Sequence, residues 1–378
     1  MDNLTHSLIG LAAAKAGLEK LSPGTTTLCI IAANAPDADV VTRIWGPWVS
    51  LHHHRGITHS IVGTLALALV LPMVFYLGDW LLSRVRKREV RIRLGGLLIA
   101  SLLVSATHPF MDWTNNYGVR FLLPWSSRWF YGDLVFIIDP FIWLTLGGSA
   151  FLLTTKSRLQ NGVWLVLAAA TSFLVMFGPA SRGGLPNPTL LRVTWIIAIV
   201  VLVVLLKQDV ASRWGAKISL AALGLVSVYL AGLFLIHTVA LRQTGLAATS
   251  LANENAEHTV RIAAMPTLAN PFRWMSVVET DRATYRFILE LFGDGRPADL
   301  VRFEKPQGTD SAAIGEALLD SRSQAFMDFA RFPVFRVAGA DCASQTLVQF
   351  ADLRYTEPGR GRGTFSLEVP VDCPLQKN

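Results

Sequence analysis

Six apolar stretches, residues 57–82, 94–111, 134–155, 161–178, 189–206 and 217–239, are each long enough to cross about 30 Å of hydrocarbon. At about 1.5 Å of rise per residue they read as membrane-spanning helices. Two shorter runs precede them, about 4–18 and 25–36, and read as short helices packed against the bundle. Hydrophobic residues make up 52% of the 378 positions and charged residues 16%, against about 25% charge in an ordinary soluble domain. A single soluble globule and a disordered chain are both excluded. The charge is uneven: residues 1–240 carry net +9 and residues 241–378 net −2, which together give +7. A basic surplus confined to the apolar part reads as flanking charge on membrane helices. No nucleic-acid partner is expected.

Orientation follows from the loops. Residues 84–93 hold six basic side chains in ten, and the positive-inside rule puts that loop in the cytoplasm. Counting outward, Lys156/Arg158 and Lys207/Arg213/Lys217 also fall inside, and the chain after 240 falls outside. That tail shows β-like alternation at 259–264, 274–280, 284–292, 333–338, 346–355 and 364–369, with helical patterns at 311–319 and 323–332. The expected architecture is a polytopic α-helical membrane bundle of six long spans and two short N-terminal helices over residues 1–240. A linker at 241–258 and a small extracytoplasmic α+β domain at 259–378 follow.

Six of the eight histidines lie within the first 108 residues: His6, His52, His53, His54, His59 and His108. Asp37, Asp39, Asp112, Asp133 and Asp139 accompany them. Ionisable groups at membrane depth are costly and point to function, and on this topology these groups collect at one face of the membrane. His108 and Asp112 are four residues apart and share one helical face. The Pro36-Asp37-Ala38-Asp39 turn projects two carboxylates. His54 and His59 flank a helix start that Thr58 could cap. Mixed His/Asp ligation suits Zn²⁺ first, then Mn²⁺ or Fe²⁺, in preference to Ca²⁺. The set His6, Asp37, Asp39, His54, His59, His108 and Asp112 is large enough for two ions.

Each residue alone has an ordinary reading. A lone histidine is more often hydrogen-bonded structure than a ligand, and Asp-x-Asp is common in loops. Their joint placement is what points to a metal. His52, His53, Asp133 and Asp139 stay open between ligand, supporting and capping roles, while His237 and His258 read as structural. Arg55 reads either as a bidentate clamp for an anionic oxygen or as an ion-pair partner of the carboxylates.

Four segments, Leu4-Thr5-His6-Ser7-Leu8-Ile9-Gly10, Pro36-Asp37-Ala38-Asp39, His54-Arg55-Gly56-Ile57-Thr58-His59-Ser60 and His108-Pro109-Phe110-Met111-Asp112, resemble the predicted membrane-bound metal-dependent hydrolases of bacterial inner membranes. The resemblance spans residues 1–240. It implies hydrolase activity with a divalent metal, carried onto the seven residues named above, and leaves the substrate open. The expected function is metal-assisted hydrolysis of a phosphoester or ester at the outer face, on a membrane lipid or lipid-linked substrate. Asp37 and Arg55 are the catalytic candidates, with Arg55 neutralising charge in the transition state. A metal or small-solute transporter and a membrane-anchored binding or assembly protein are the rival classes. The later spans offer almost no polar residues for a through-path.

Three cysteines complete the reading. Cys29 lies in an apolar run and should be a buried hydrophobe. Cys342 and Cys373 flank two β-like runs and are expected to form a disulfide across a hairpin outside the cytoplasm.

Overall fold

The computed structural model describes residues 1–181, 188–293, 296–338, 346–361 and 363–372. The chain begins with helices α1 (Asn3–Lys15), α2 (Thr25–Asn34) and α3 (Pro47–His53), the last two separated by a 3₁₀ segment at Ala35–Trp45. Then follow α4 (Ile61–Val85), α5 (Leu94–Trp113), α6 (Pro140–Thr154), α7 (Arg158–Ser181), α8 (Pro188–Lys207), α9 (Val210–Trp214) and α10 (Ala216–Asn255). The remainder runs β1 (Thr259–Thr267), β2 (Asn270–Thr280), β3 (Ala283–Glu290), β4 (Ala298–Glu304), α11 (Gly308–Ala317), α12 (Ser321–Phe329), β5 (Pro333–Ala338), β6 (Thr346–Asp352) and β7 (Ser366–Val371).

Five helices, α4, α5, α7, α8 and α10, are long and apolar enough to cross a membrane. The sixth expected span, 134–155, is corrected. Its helix α6 has 15 residues, about 22 Å. Asp139 stops it early by capping: its carboxylate accepts from the backbone N–H of Phe141 and Ile142, and Pro140 fills the first helical position. At the other end α10 is longer than its pattern, 40 residues, and takes up 241–255, which reads in sequence as a linker.

The chain divides into two compact units. The first comprises residues 1–38, 57–234 and 267–271. One part of its core joins α1 to α6, α8 and α10 through Leu8, Ile9, Leu146, Trp195 and Leu233. Another is a seam of small side chains, Ala14, Cys29, Ala32, Ala33 and Ala100, between α1, α2 and α5. The outward faces stay apolar, as at Val70, Leu165 and Ile197, which suits helices solvated by lipid rather than water.

The second unit comprises residues 39–56, 235–266 and 272–378. It holds a four-stranded sheet in the order β1-β2-β3-β4 and a three-stranded sheet in the order β5-β6-β7. β2/β3, β3/β4, β5/β6 and β6/β7 are antiparallel, with Trp274 opposite Leu289 and Val348 opposite Val369. The α+β expectation therefore holds, including the 346–352/366–371 pairing. β4 has no sequence signal because it is an edge strand with mostly exposed side chains. Cys342 and Cys373 lie outside the described residues; among those residues there is no disulfide, and Cys29 is a free, buried thiol.

Candidate metal centre

Local structure presents the donors one element at a time. Asp2 caps α1 through the Thr5 N–H, and His6 follows on the buried side of that helix. α5 carries His108 and Asp112 one turn apart on its buried face. Ser60 caps α4 by accepting from the Gly63 N–H at 3.1 Å. A Cβ at position 63 would lie 1.8 Å from the Ile57 carbonyl oxygen. Glycine there lets the 57–59 turn fold onto the helix and bury His59. Asp37 comes from the 3₁₀ segment.

In the first unit these residues converge. His59 Nε2 lies 3.4 Å from Asp37 Oδ1, 3.3 Å from Asp112 Oδ2 and 3.1 Å from His108 Nε2. His108 Nε2 lies 3.5 Å from each of the same two oxygens. A tetrahedral ion with bonds of about 2.0–2.1 Å needs donors about 3.3–3.4 Å apart. Asp37, His59, His108 and Asp112 therefore could hold a metal ion.

The surroundings fit that use. His108 Nδ1 lies 2.6 Å from the Ala33 carbonyl oxygen, which can only accept, so Nδ1 carries the proton and Nε2 presents its lone pair inward. His59 Nδ1 contacts the Thr58 hydroxyl at 3.0 Å. Asn3 Nδ2 donates to Asp37 Oδ2 at 3.0 Å. Burial alone would raise the Asp37 carboxyl, but hydrogen bonds and charge from His108 and His59 outweigh it and hold the group well below the usual carboxylate range. Asp112 divides its oxygens. Oδ2 faces the two imidazoles, while Oδ1 faces His6 Nε2 at 3.3 Å and the α-ammonium of Met1. The His6 ring stacks on His108 with centroids 3.8 Å apart.

The other expected ligands, Asp39 and His54, belong to the second unit, as does Arg55. There Asp39 Oδ1 lies 2.9 Å from His54 Nδ1, and Oδ2 accepts from the Arg55 N–H at 2.9 Å. That hold stabilises Arg55 at φ 53°, a left-handed conformation unusual for a side-chain-bearing residue. His52 pairs with Asp328 at 3.3 Å and packs edge-on against His53. Asp139 is a helix cap that also accepts from the Tyr229 hydroxyl. Asp133 is buried at a left-handed turn position. His237 Nε2 contacts the Ala264 carbonyl. Thr58 does not cap α4, since Ser60 does. Sequence reasoning missed Asn3 and the Ala33 carbonyl. The first stands alone in its segment, and the second is a backbone group that no side-chain pattern encodes.

Residues 1–185, which contain every donor named here, match the YdjM inner membrane protein family. The uncharacterized protein YfhP of Bacillus subtilis (strain 168) is 28% identical over 159 residues, 38% of this chain and 44% of YfhP. The match thus spans less than half the length of that relative. No solved structure is significantly similar.

Proposed function

We propose, for a chain whose first 185 residues fall in the YdjM inner membrane protein family, a membrane-embedded metal-dependent hydrolase acting on a phosphoester or ester of a lipid or lipid-linked substrate. The observation that carries this reading is the convergence of two imidazole nitrogens and two carboxylate oxygens at tetrahedral-edge spacing, with the His108 tautomer fixed by Ala33. The chemistry a divalent ion supplies at such a centre is Lewis acidity, which makes water nucleophilic near neutral pH and polarises the ester or phosphoryl oxygen. The chain's own residues do the rest. Asp37, His59, His108 and Asp112 would hold the ion, with zinc favoured by the mixed nitrogen and oxygen set. Asn3 orients Asp37, and the stacked His6 fixes the Asp112 side of the centre. Asp37, held ionised by the two imidazoles, would act as a ligand that helps balance the ion's charge, and Arg55 is assigned to neutralise charge on the substrate. Asp39 and His54, 2.9 Å apart in the second unit, would serve a second ion.

The basic 84–93 loop supports a cytoplasmic location for that end of α4. The His59 end is then at the outer face of the inner membrane, and the C-terminal unit is extracytoplasmic if the short apolar helix α6 crosses along with α5, α7, α8 and α10, an odd number of crossings after that loop. A centre in that layer meets lipid head groups without lipid extraction, which supports the substrate class. The test is metal content plus turnover of a phosphoester and phospholipid panel by purified full-length protein, wild type against His59→Ala and Asp112→Ala. Both metal and turnover should disappear in the variants. Bound metal in the wild type with no turnover of any substrate would sink the hydrolase reading.

Metal transport is a second reading with one observation in its favour. Ser101 and Ser105 continue the His108/Asp112 face of α5 away from the centre, fully buried, and neither hydroxyl has a hydrogen-bond partner among the described residues. Metal uptake into vesicles carrying the protein, lost in Ser105→Ala, would favour it.

A further inference from the structure

We infer that the groove between α4 and α5 seats an acyl chain of the lipid whose head group is presented to the metal centre, an inference that rests on the lipid hydrolase reading. The groove is a cavity of about 370 Å³ within the first unit, walled by Ile61, Leu65 and Ala68 on α4 and by Leu102, Ala106 and Phe110 on α5. One wall, α5, carries His108 and Asp112, and the other, α4, starts directly after the turn that holds His59. Ile61 follows His59 by two residues, and Phe110 lies between His108 and Asp112.

Chemistry fixes the class of occupant. Among the lining residues the hydroxyl is that of Thr64, directed at the Thr58 carbonyl, so the groove offers an incoming group almost nothing but hydrocarbon contacts. Ile61, Leu65 and Phe110 are 60%, 49% and 49% exposed, so the groove opens sideways, toward the space that lipid tails fill around a spanning helix. Its depth fits one leaflet: Leu102 to Phe110 is eight residues, about 12 Å along the axis, against about 15 Å for half of the hydrocarbon core. The facing small residues Ala68 and Ala106 hollow it out. His108 and Asp112 face the bundle while Ala106 and Phe110 face the groove, so the head group turns over the end of α5. There Phe121, whose carbonyl accepts from the Ile61 N–H at 3.0 Å, lines the end of the groove.

A second apolar cavity, walled by α1, α6, α7 and α8 and lined by Gly147, shares no lining residue with this groove and touches neither α4 nor α5. It serves as the control.

The experiment uses full-length protein in phosphatidylethanolamine/phosphatidylglycerol vesicles containing a trace of phosphatidylglycerol with a photoreactive diazirine on one acyl chain. Adducts are mapped by mass spectrometry. In the wild type, labelling should concentrate on Leu65, Leu102 and their neighbours. It should fall at least tenfold in Ala106→Trp, which fills the groove, and in Leu65→Trp, which blocks its lip from a half-exposed position. Gly147→Leu should leave it unchanged. Metal content, measured on every variant, verifies that the centre has folded. Labelling spread evenly over the exposed faces of α7 and α8, or groove labelling indifferent to both tryptophans, overturns the inference. Turnover of a short-chain soluble phosphoester separates the two claims. Turnover with diffuse labelling fails the groove alone, and groove-specific labelling without any turnover fails the hydrolase reading alone.

Discussion

Gly63→Ala should destabilise the protein and loosen its metal centre, whereas Gly78→Ala on the same helix should do neither. In a helix, alanine is intrinsically favoured over glycine by about 1 kcal/mol, so propensity alone predicts a gain at both positions. At Gly78 no atom lies within 4 Å of the added Cβ, and that gain can stand. At Gly63 the Cβ would lie 1.8 Å from the Ile57 carbonyl oxygen and 2.7 Å from its carbon. Reaching an ordinary 3.4 Å contact requires a retreat of about 1.6 Å (3.4 minus 1.8) by the backbone that leads into His59. Overpacking of this kind costs about 1–3 kcal/mol or more. A backbone retreat of about 1.6 Å belongs at the upper end of that range, so it outweighs the propensity gain, for a net loss of about 2 kcal/mol. The same displacement carries His59 Nε2 out of a donor set spaced at 3.1–3.5 Å, so metal affinity should fall at least tenfold. Thermal unfolding midpoints in one detergent, with metal content on the same samples, provide the assay. Gly63→Ala should melt several degrees below Gly78→Ala and bind less metal. Equal midpoints and equal metal in the two variants would refute the reasoning.

Asn3→Ala should weaken metal binding by about tenfold without unfolding the bundle, because it removes the bond that orients Asp37; isothermal titration with zinc checks this. Chelator treatment should lower the unfolding midpoint of the wild type, and added zinc should restore it, since a ligand that binds only the folded state stabilises it. In the second unit, burial alone would raise the Glu279 carboxyl, but hydrogen bonds from Lys305 and Arg261 outweigh it and lower it. A lowered carboxylate stabilises the fold above its unfolded pKa, about 4.3, and that contribution is lost as pH falls through the folded value. Glu279→Gln should therefore cost about 1 kcal/mol at pH 7 and progressively less as pH falls below about 4.3, and a cost that does not change with pH would count against the assignment.

Helical periodicity was a good guide where a regular helix presents the donors. His108 and Asp112, four residues apart, do share a face and a focus. Asp37 and Asp39 were legible from a turn signal rather than from periodicity; their segment is 3₁₀, in which Asp37 meets His59 and Asp39 meets His54. Membrane helices were legible from composition because lipid-facing residues are uniformly apolar. α6 was overestimated because its apolar run extends N-terminal to Asp139, which only cap geometry identifies as the stop. The edge strand β4 was invisible for the converse reason, since exposed side chains impose no alternation. Asn3 and Ala33, which orient the donors, carry no pattern at all.

X-ray absorption at the K edge of the bound metal, on full-length wild type and His108→Ala, tests the centre most directly. The account predicts a first shell of nitrogen and oxygen at about 2.0–2.1 Å with two imidazoles, and one imidazole fewer, or no metal, in the variant. A sulfur-containing shell, or a shell unchanged by His108→Ala, would contradict it.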